Sequence, residues 1–161
     1  MEINKVGVVG CGLMGHGITQ VSAQAGYDVV VADVSQEALD KGLGKISKLL
    51  GKSVEKGKIE QADADAVLGR IAGTTDLNDF ADCDLVIEAV TENLDTKRAI
   101  WKQLDEIVKD EAYFATNTSS LPVINQAAAT TRPANFLGLH FFNPVQVMPL
   151  LEVIQSVTTS P

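Results

Sequence analysis

Lys5-Val6-Gly7-Val8-Val9-Gly10-Cys11-Gly12-Leu13-Met14-Gly15 decides how the rest of this sequence folds. An apolar run of strand character enters a G-x-G-x-x-G turn, and a helical stretch from Leu13 to Ala25 leaves it, ending at Gly26. The first glycine permits a tight turn, the second lets the backbone approach a pyrophosphate, and the third lets the helix pack close to the sheet. The helix N-terminus adds unpaired N–H donors and a partial positive charge, worth ~0.3–2 kcal/mol to an anion. Val29 to Ala32 is a second buried strand, stopping at Asp33, 18 residues beyond Gly15. A carboxylate there accepts hydrogen bonds from both hydroxyls of an adenosine ribose and repels a 2′-phosphate, which favours NAD over NADP. The competing reading is a structural turn with Asp33 capping the next helix. Cys11 at a helix start invites a redox role, but a small residue between two glycines explains it better.

Outward from this unit, short apolar runs alternate with helical ones. A long Lys-rich helix from Ser35, its N-cap, reaches about Lys56, and a second helical piece covers Gln61 to Leu68. Strands are expected at Ile71–Thr74, Leu85–Glu88, Tyr113–Thr116, Phe136–Phe142 and Leu150–Ile154. Between them lie an amphipathic helix over Asp95–Val108 and a short one over Pro122–Ala129, with Pro in its first turn. Such alternation implies an α/β fold: a Rossmann-type, doubly wound, mostly parallel sheet covered on both faces, with a helical-pair insertion at about 35–68. Residues 1–161 are read as one domain.

Thirteen Lys+Arg against twenty-one Asp+Glu give a net charge of −8, which argues against general binding to nucleic-acid backbones. The two cysteines, Cys11 and Cys83, supply no disulfide framework, and no apolar run reaches the ~18 residues of a membrane span. The opening residues lack the features of a secretory signal or transit peptide. A cytoplasmic location is the expectation, with no metal site.

Further site candidates follow the later strands, on the rim where ligands of open parallel sheets bind. Glu92 and Lys97 in Glu88-Ala-Val-Thr-Glu92-Asn-Leu-Asp-Thr-Lys97 are placed for the nicotinamide side; helix capping and a solvated ion pair would explain them as well. Asn117-Thr118-Ser119-Ser120 suits a ligand or a capping turn equally. His140, in Leu137-Gly-Leu-His140-Phe-Phe-Asn143-Pro144, is set in an apolar run, where histidines are commonly core residues. Glu152 lies twelve residues later on another apolar run. If these strands pair, the two face each other, and a carboxylate on one imidazole nitrogen leaves the other free as a general base. Two ionisable groups buried in apolar strands need a reason, and a catalytic dyad is one.

Taken together, GCGLMGHGI, the strand-end Asp33, IEAVTENLDTK, TNTSSLP and GLHFFNPVQVMPLLEVI resemble the NAD-binding domain of the L-3-hydroxyacyl-CoA dehydrogenases, over about Lys5 to Ile154. The resemblance implies that the Gly10, Cys11, Gly12, Leu13, Met14, Gly15 loop holds the pyrophosphate and Asp33 the adenosine ribose. It puts Glu92, Lys97 and Asn143 near the nicotinamide half and Ser119 against both substrate and cofactor. His140 matches the base and Glu152 the carboxylate that orients it. Lys45, Lys48, Lys52 and Lys56 become candidates for the phosphates of an acyl-CoA substrate, beside the plainer reading of a solvated charged face. The implied reaction is NAD-dependent oxidation of a 3-hydroxyacyl-CoA to the 3-oxo thioester, or its reverse. Family members continue into an all-helical second domain that carries most of a homodimer contact. That domain is absent from these 161 residues, so a binding module without turnover is the second reading.

Overall fold

The computed structural model describes residues 2–161. In chain order the elements are β1 (Lys5–Val9), α1 (Leu13–Gln24), β2 (Asp28–Ala32), α2 (Gln36–Glu55), α3 (Gln61–Gly69), β3 (Ile71–Thr74), β4 (Leu85–Glu88), α4 (Leu94–Ile107), β5 (Tyr113–Thr116), α5 (Val123–Ala127), β6 (Phe136–Phe141) and β7 (Leu151–Ile154). One sheet runs β3-β2-β1-β4-β5-β6-β7, parallel throughout except for the antiparallel β6–β7 pair. The order reverses at β1, which pairs with both β2 and β4, and this switch opens a crevice beyond the carboxyl ends of the strands. The doubly wound sheet with a helical pair between β2 and β3 is the architecture expected from the sequence.

Strand alternation divides the core in two. Val6, Val8, Val29, Val31, Ile87 and Ala115 meet Ile18, Leu39, Ile46, Leu50 and Val67 of the first three helices. Val9, Val30, Val86, Phe114 and Phe136 meet Trp101, Leu104 and Ala127 on the other face. Strands buried from both sides must be apolar at every position, which is why they read as continuous Val/Ile runs. Trp101 anchors the second face, its ring 4.9 Å from Phe114 and 4.8 Å from Phe136, with its indole N–H donating to Gln126 Oε1 at 3.1 Å.

Helix ends follow local chemistry. Ser35 Oγ caps α2 by accepting the Ala38 N–H at 3.2 Å, so Asp33 is not that cap. Asn93 Oδ1 caps α4 by accepting the Thr96 N–H at 2.9 Å. Arg132 closes the other end of α4: its guanidinium donates to the carbonyls of Asp105, Val108 and Lys109 and pairs with the Asp105 carboxylate at 2.7 Å.

The final strand departs from expectation. β7 is an edge strand with exposed side chains: Leu151 is 40% and Val153 62% accessible, and the Glu152 side chain 51%. Among the described residues no helix covers this margin, so the apolar sequence of β7 does not signify burial. Glu152 is not a buried carboxylate.

Opposite the crevice, Asp84 ties the strands' amino ends together. Its carboxylate accepts the N–H groups of Asn4 and Lys5 at 2.8 and 2.9 Å and pairs with Lys109. The Lys109 ammonium first, then those two N–H groups, hold its carboxyl down to about 2. The stabilisation is therefore complete above the unfolded carboxyl value near pH ~4 and is lost as the pH falls towards 2. Urea unfolding should find Asp84→Asn about 1–3 kcal/mol less stable at pH 7. The gap should close as the pH drops from about 4 to about 2; parallel pH dependences in the two proteins would contradict this.

Candidate functional site

The glycine loop is built by close approach of backbone to backbone. Gly10 takes φ +97°, a left-handed conformation that side chains disfavour, and donates its N–H to the Ala32 carbonyl at 2.8 Å. A Cβ on Gly15 would lie 1.7 Å from the Gly10 carbonyl oxygen. The third glycine is thus required by the loop's own carbonyl, one contact nearer than the sheet. A Cβ on Gly12 meets nothing within 4 Å and would stand in the open space of the cleft. Gly42 of α2 packs on the loop from outside, where a Cβ would fall 2.2 Å from the Cys11 carbonyl oxygen.

Asp33 connects the loop to the end of β2. Its Oδ2 accepts the Cys11 N–H at 2.8 Å and its Oδ1 the Val34 N–H at 2.7 Å. Each oxygen keeps a lone pair, and a carboxylate so fixed can accept a pair of hydroxyls. The Cys11 thiol is 2% exposed, and burial, helped by the Asp33 charge, pushes it up to about 11. A thiol so protonated is a packing group and a poor nucleophile.

The rim beyond β4 and β5 is a polar network. Glu88, at the end of β4, is fully buried. It accepts the Lys97 ammonium at 2.6 Å, the Thr116 hydroxyl at 2.7 Å and the Val90 N–H at 2.7 Å. Lys97 is equally buried and also reaches Glu92 Oε1 at 3.2 Å. It does not line the cleft; it forms an ion pair, though an interior one and not the solvated pair considered from sequence. Glu92 does face the cleft, with its other oxygen accepting the Thr118 hydroxyl at 2.7 Å. Asn117 Oδ1 accepts the Phe141 N–H at 3.0 Å and so ties the rim to β6, beyond the last β5–β6 ladder pair at Thr116 and Gly138.

Antiparallel pairing sets His140 directly opposite Glu152. Imidazole Nδ1 lies 2.8 Å from Glu152 Oε2, so Nδ1 carries the proton and donates it to the carboxylate. Among the described residues Nε2 has no hydrogen-bond partner. The ring stands 4.5 Å from that of Phe142 and its side chain is 21% exposed.

One cleft of about 680 Å³ joins these parts. Gly10, Gly12, Leu13, Met14 and Asp33 line one end; Glu92, Ser119, His140 and Asn143 line the other. Cys11, Gly15, Lys97 and Glu152 stand behind the wall and support it. Glu88, Val34 and Phe142 were not among the residues the sequence singled out, whereas Asn117 and Thr118 fall in the turn that suits a ligand or a cap. A strand-end carboxylate in an otherwise apolar Leu-Val-Ile-Glu run was the one available signal for Glu88. The open glycine and the strand-end carboxylate on this cleft are the features of a dinucleotide site in a doubly wound sheet. Its acidic end at Asp33 suits a free ribose.

Residues 5–161 match the family model described as 3-hydroxyacyl-CoA dehydrogenase, NAD binding domain. The chain belongs to this family. It is 57% identical over 156 residues to a probable 3-hydroxybutyryl-CoA dehydrogenase of Deinococcus radiodurans, covering 97% of this chain and 56% of that protein. It is 46% identical over 159 residues to the fatty acid oxidation complex subunit alpha of Psychrobacter cryohalolentis, covering 99% of this chain and 22% of that one. Among solved structures it superposes on M. tuberculosis FadB2 with a TM-score of 0.96 at 46% identity, over 99% of this chain and 56% of the other. The (S)-3-hydroxybutyryl-CoA dehydrogenase PaaH1 of Ralstonia eutropha gives 0.96 at 45%. The chain therefore spans about half the length of the 3-hydroxybutyryl-CoA dehydrogenases it matches.

The two inner glycines should separate on substitution. Gly15→Ala forces backbone apart and should cost about 1–3 kcal/mol or more. Gly12→Ala should leave stability within about 0.5 kcal/mol while lowering NADH affinity about tenfold. Urea unfolding beside NADH fluorescence titration checks both. A destabilised Gly12→Ala protein, or one with unchanged affinity, would contradict this assignment.

Proposed function

We propose that this chain is the cofactor-binding half of an NAD-dependent dehydrogenase that interconverts a (3S)-3-hydroxyacyl-CoA and the 3-oxoacyl-CoA, and that it carries the catalytic His140–Glu152 pair. The observation behind this reading is the 2.8 Å contact of Glu152 with His140, whose ring lines the same cleft as Gly12 and Asp33. The Gly10–Gly15 loop would hold the pyrophosphate, with Leu13 and Met14 beside it, and Asp33 the adenosine ribose. Glu92, Ser119 and Asn143 would hold the nicotinamide half, with Ser119 touching substrate as well. Lys97 enters this scheme through Glu92.

Bound NAD supplies the hydride acceptor at its nicotinamide ring. The protein's part is acid–base and positional. His140 Nε2 takes the proton of the 3-hydroxyl, and Glu152 on Nδ1 keeps the ring in the tautomer that leaves Nε2 unprotonated and offsets the charge that develops. Ser119, which would touch both substrate and cofactor, helps to bring the reacting groups together. The exposed Lys45, Lys48, Lys52 and Lys56 offer cations to the coenzyme A phosphates.

A binding module without turnover is the second reading. The exposure of Glu152 favours it, since a dyad open to water gains less from its electrostatics than an enclosed one. Acetoacetyl-CoA reduction by NADH separates the two. Little or no turnover is expected of these 161 residues alone; where it is measurable, His140→Ala should lower kcat by about 10²–10⁴ with the NADH Kd changed less than about twofold. NADH binding without turnover by the unsubstituted chain would leave the module reading. Parallel loss of turnover and NADH binding in His140→Ala would assign that residue to the fold.

A further inference from the structure

Beneath the cofactor cleft lies a charged group that touches no cleft surface. Glu88 and Lys97 are both fully buried, 2.6 Å apart. Taking an ammonium and a carboxylate out of water costs several kcal/mol per ion, and an apolar pair of the same volume commonly packs as well or better. Packing alone is therefore a poor account of this pair, and the geometry around it offers a better one.

Glu88 is held from three sides. Thr116 donates from the neighbouring strand at 2.7 Å, Val90 N–H from its own chain at 2.7 Å, and Lys97 from α4. So fixed, it holds the Lys97 ammonium, whose second anion is Glu92 at 3.2 Å. Glu92 is consequently gripped at both oxygens by separate elements: Oε1 by α4 through Lys97, Oε2 by the turn after β5 through Thr118. Without the Glu88 charge, Lys97 would have Glu92 as its only anionic partner. The ammonium would shift towards the cleft mouth and carry the Glu92 carboxylate out of place.

We infer that Glu88 is a positioning residue for the cofactor cleft, fixing the Glu92 carboxylate by holding Lys97 from behind. This rests on the cofactor reading above for Glu92. It makes a specific demand: substitutions at Glu88 act on the cofactor only through Glu92.

A double-mutant cycle read by NADH fluorescence titration tests this, with thermal unfolding recorded for each protein. Glu88→Gln and Glu92→Gln should each weaken NADH binding about three- to tenfold. The double variant should bind no more weakly than Glu92→Gln alone. If the two effects multiply, or if Glu88→Gln lowers the melting temperature without moving the Kd, Glu88 is a structural group and the inference is overturned. A Glu92→Gln protein with unchanged affinity beside a weakened Glu88→Gln protein overturns it too. Should Glu88→Gln fail to fold, Thr116→Val removes one of the three supports and keeps the charge. It should weaken NADH binding about twofold, and that effect should vanish in the Glu92→Gln background; persistence there counts against the inference. Absence of NADH binding by the unsubstituted protein would instead overturn the cofactor reading and this inference with it.

Discussion

The absence of a side chain at Gly15 is the constraint on which the rest depends. With the Gly10 carbonyl oxygen 1.7 Å from where a Cβ would stand, α1 can start directly against the turn that ends β1. Its unpaired N–H groups then face the crevice at the topological switch. Two further contacts hold that arrangement in place. Asp33 fastens the loop to β2 through the Cys11 N–H, and Gly42 lets α2 close over it. A side chain at Gly15 or Gly42 would collide with a backbone carbonyl of the loop.

The electrostatics of the cleft are local. A protein of net charge −8 offers no long-range attraction to a dinucleotide, and charges beyond about 8 Å are largely screened at physiological ionic strength. What matters is the order of groups along the cleft: a carboxylate at Asp33 where a ribose would lie, N–H donors at the glycine loop, and a second carboxylate at Glu92. The buried Lys97 is shared between two carboxylates, so that end of the cleft retains a negative charge.

Much of this was legible in the residues. Strands packed on both faces must be apolar throughout, so the central sheet announced itself, as did the glycine loop with Asp33 at the expected interval. The spacing of His140 and Glu152 agrees with their opposition in β6 and β7 because a twelve-residue interval fits two short antiparallel strands and their connection. The burial of those strands was not legible. Leu151 and Val153 read as core, yet edge position, which depends on strand order, leaves them exposed. Lys97 shows the opposite failure: a lysine in an amphipathic helix reads as solvated, and only the tertiary placement of Glu88 buries it. Asp84 and Arg132 were silent for a similar reason, since their partners, backbone groups together with the Lys109 and Asp105 side chains, are distant in sequence.

One cleft is proposed to carry a dinucleotide from the glycine loop to the His140–Glu152 pair. A crystal structure of the protein with NAD bound tests it most directly. The pyrophosphate is expected on the backbone N–H groups at Gly12, the adenosine ribose on Asp33, and the nicotinamide at the end of the cleft beside His140. A nicotinamide lying at the Asp33 end, or a pyrophosphate away from Gly12, would contradict it.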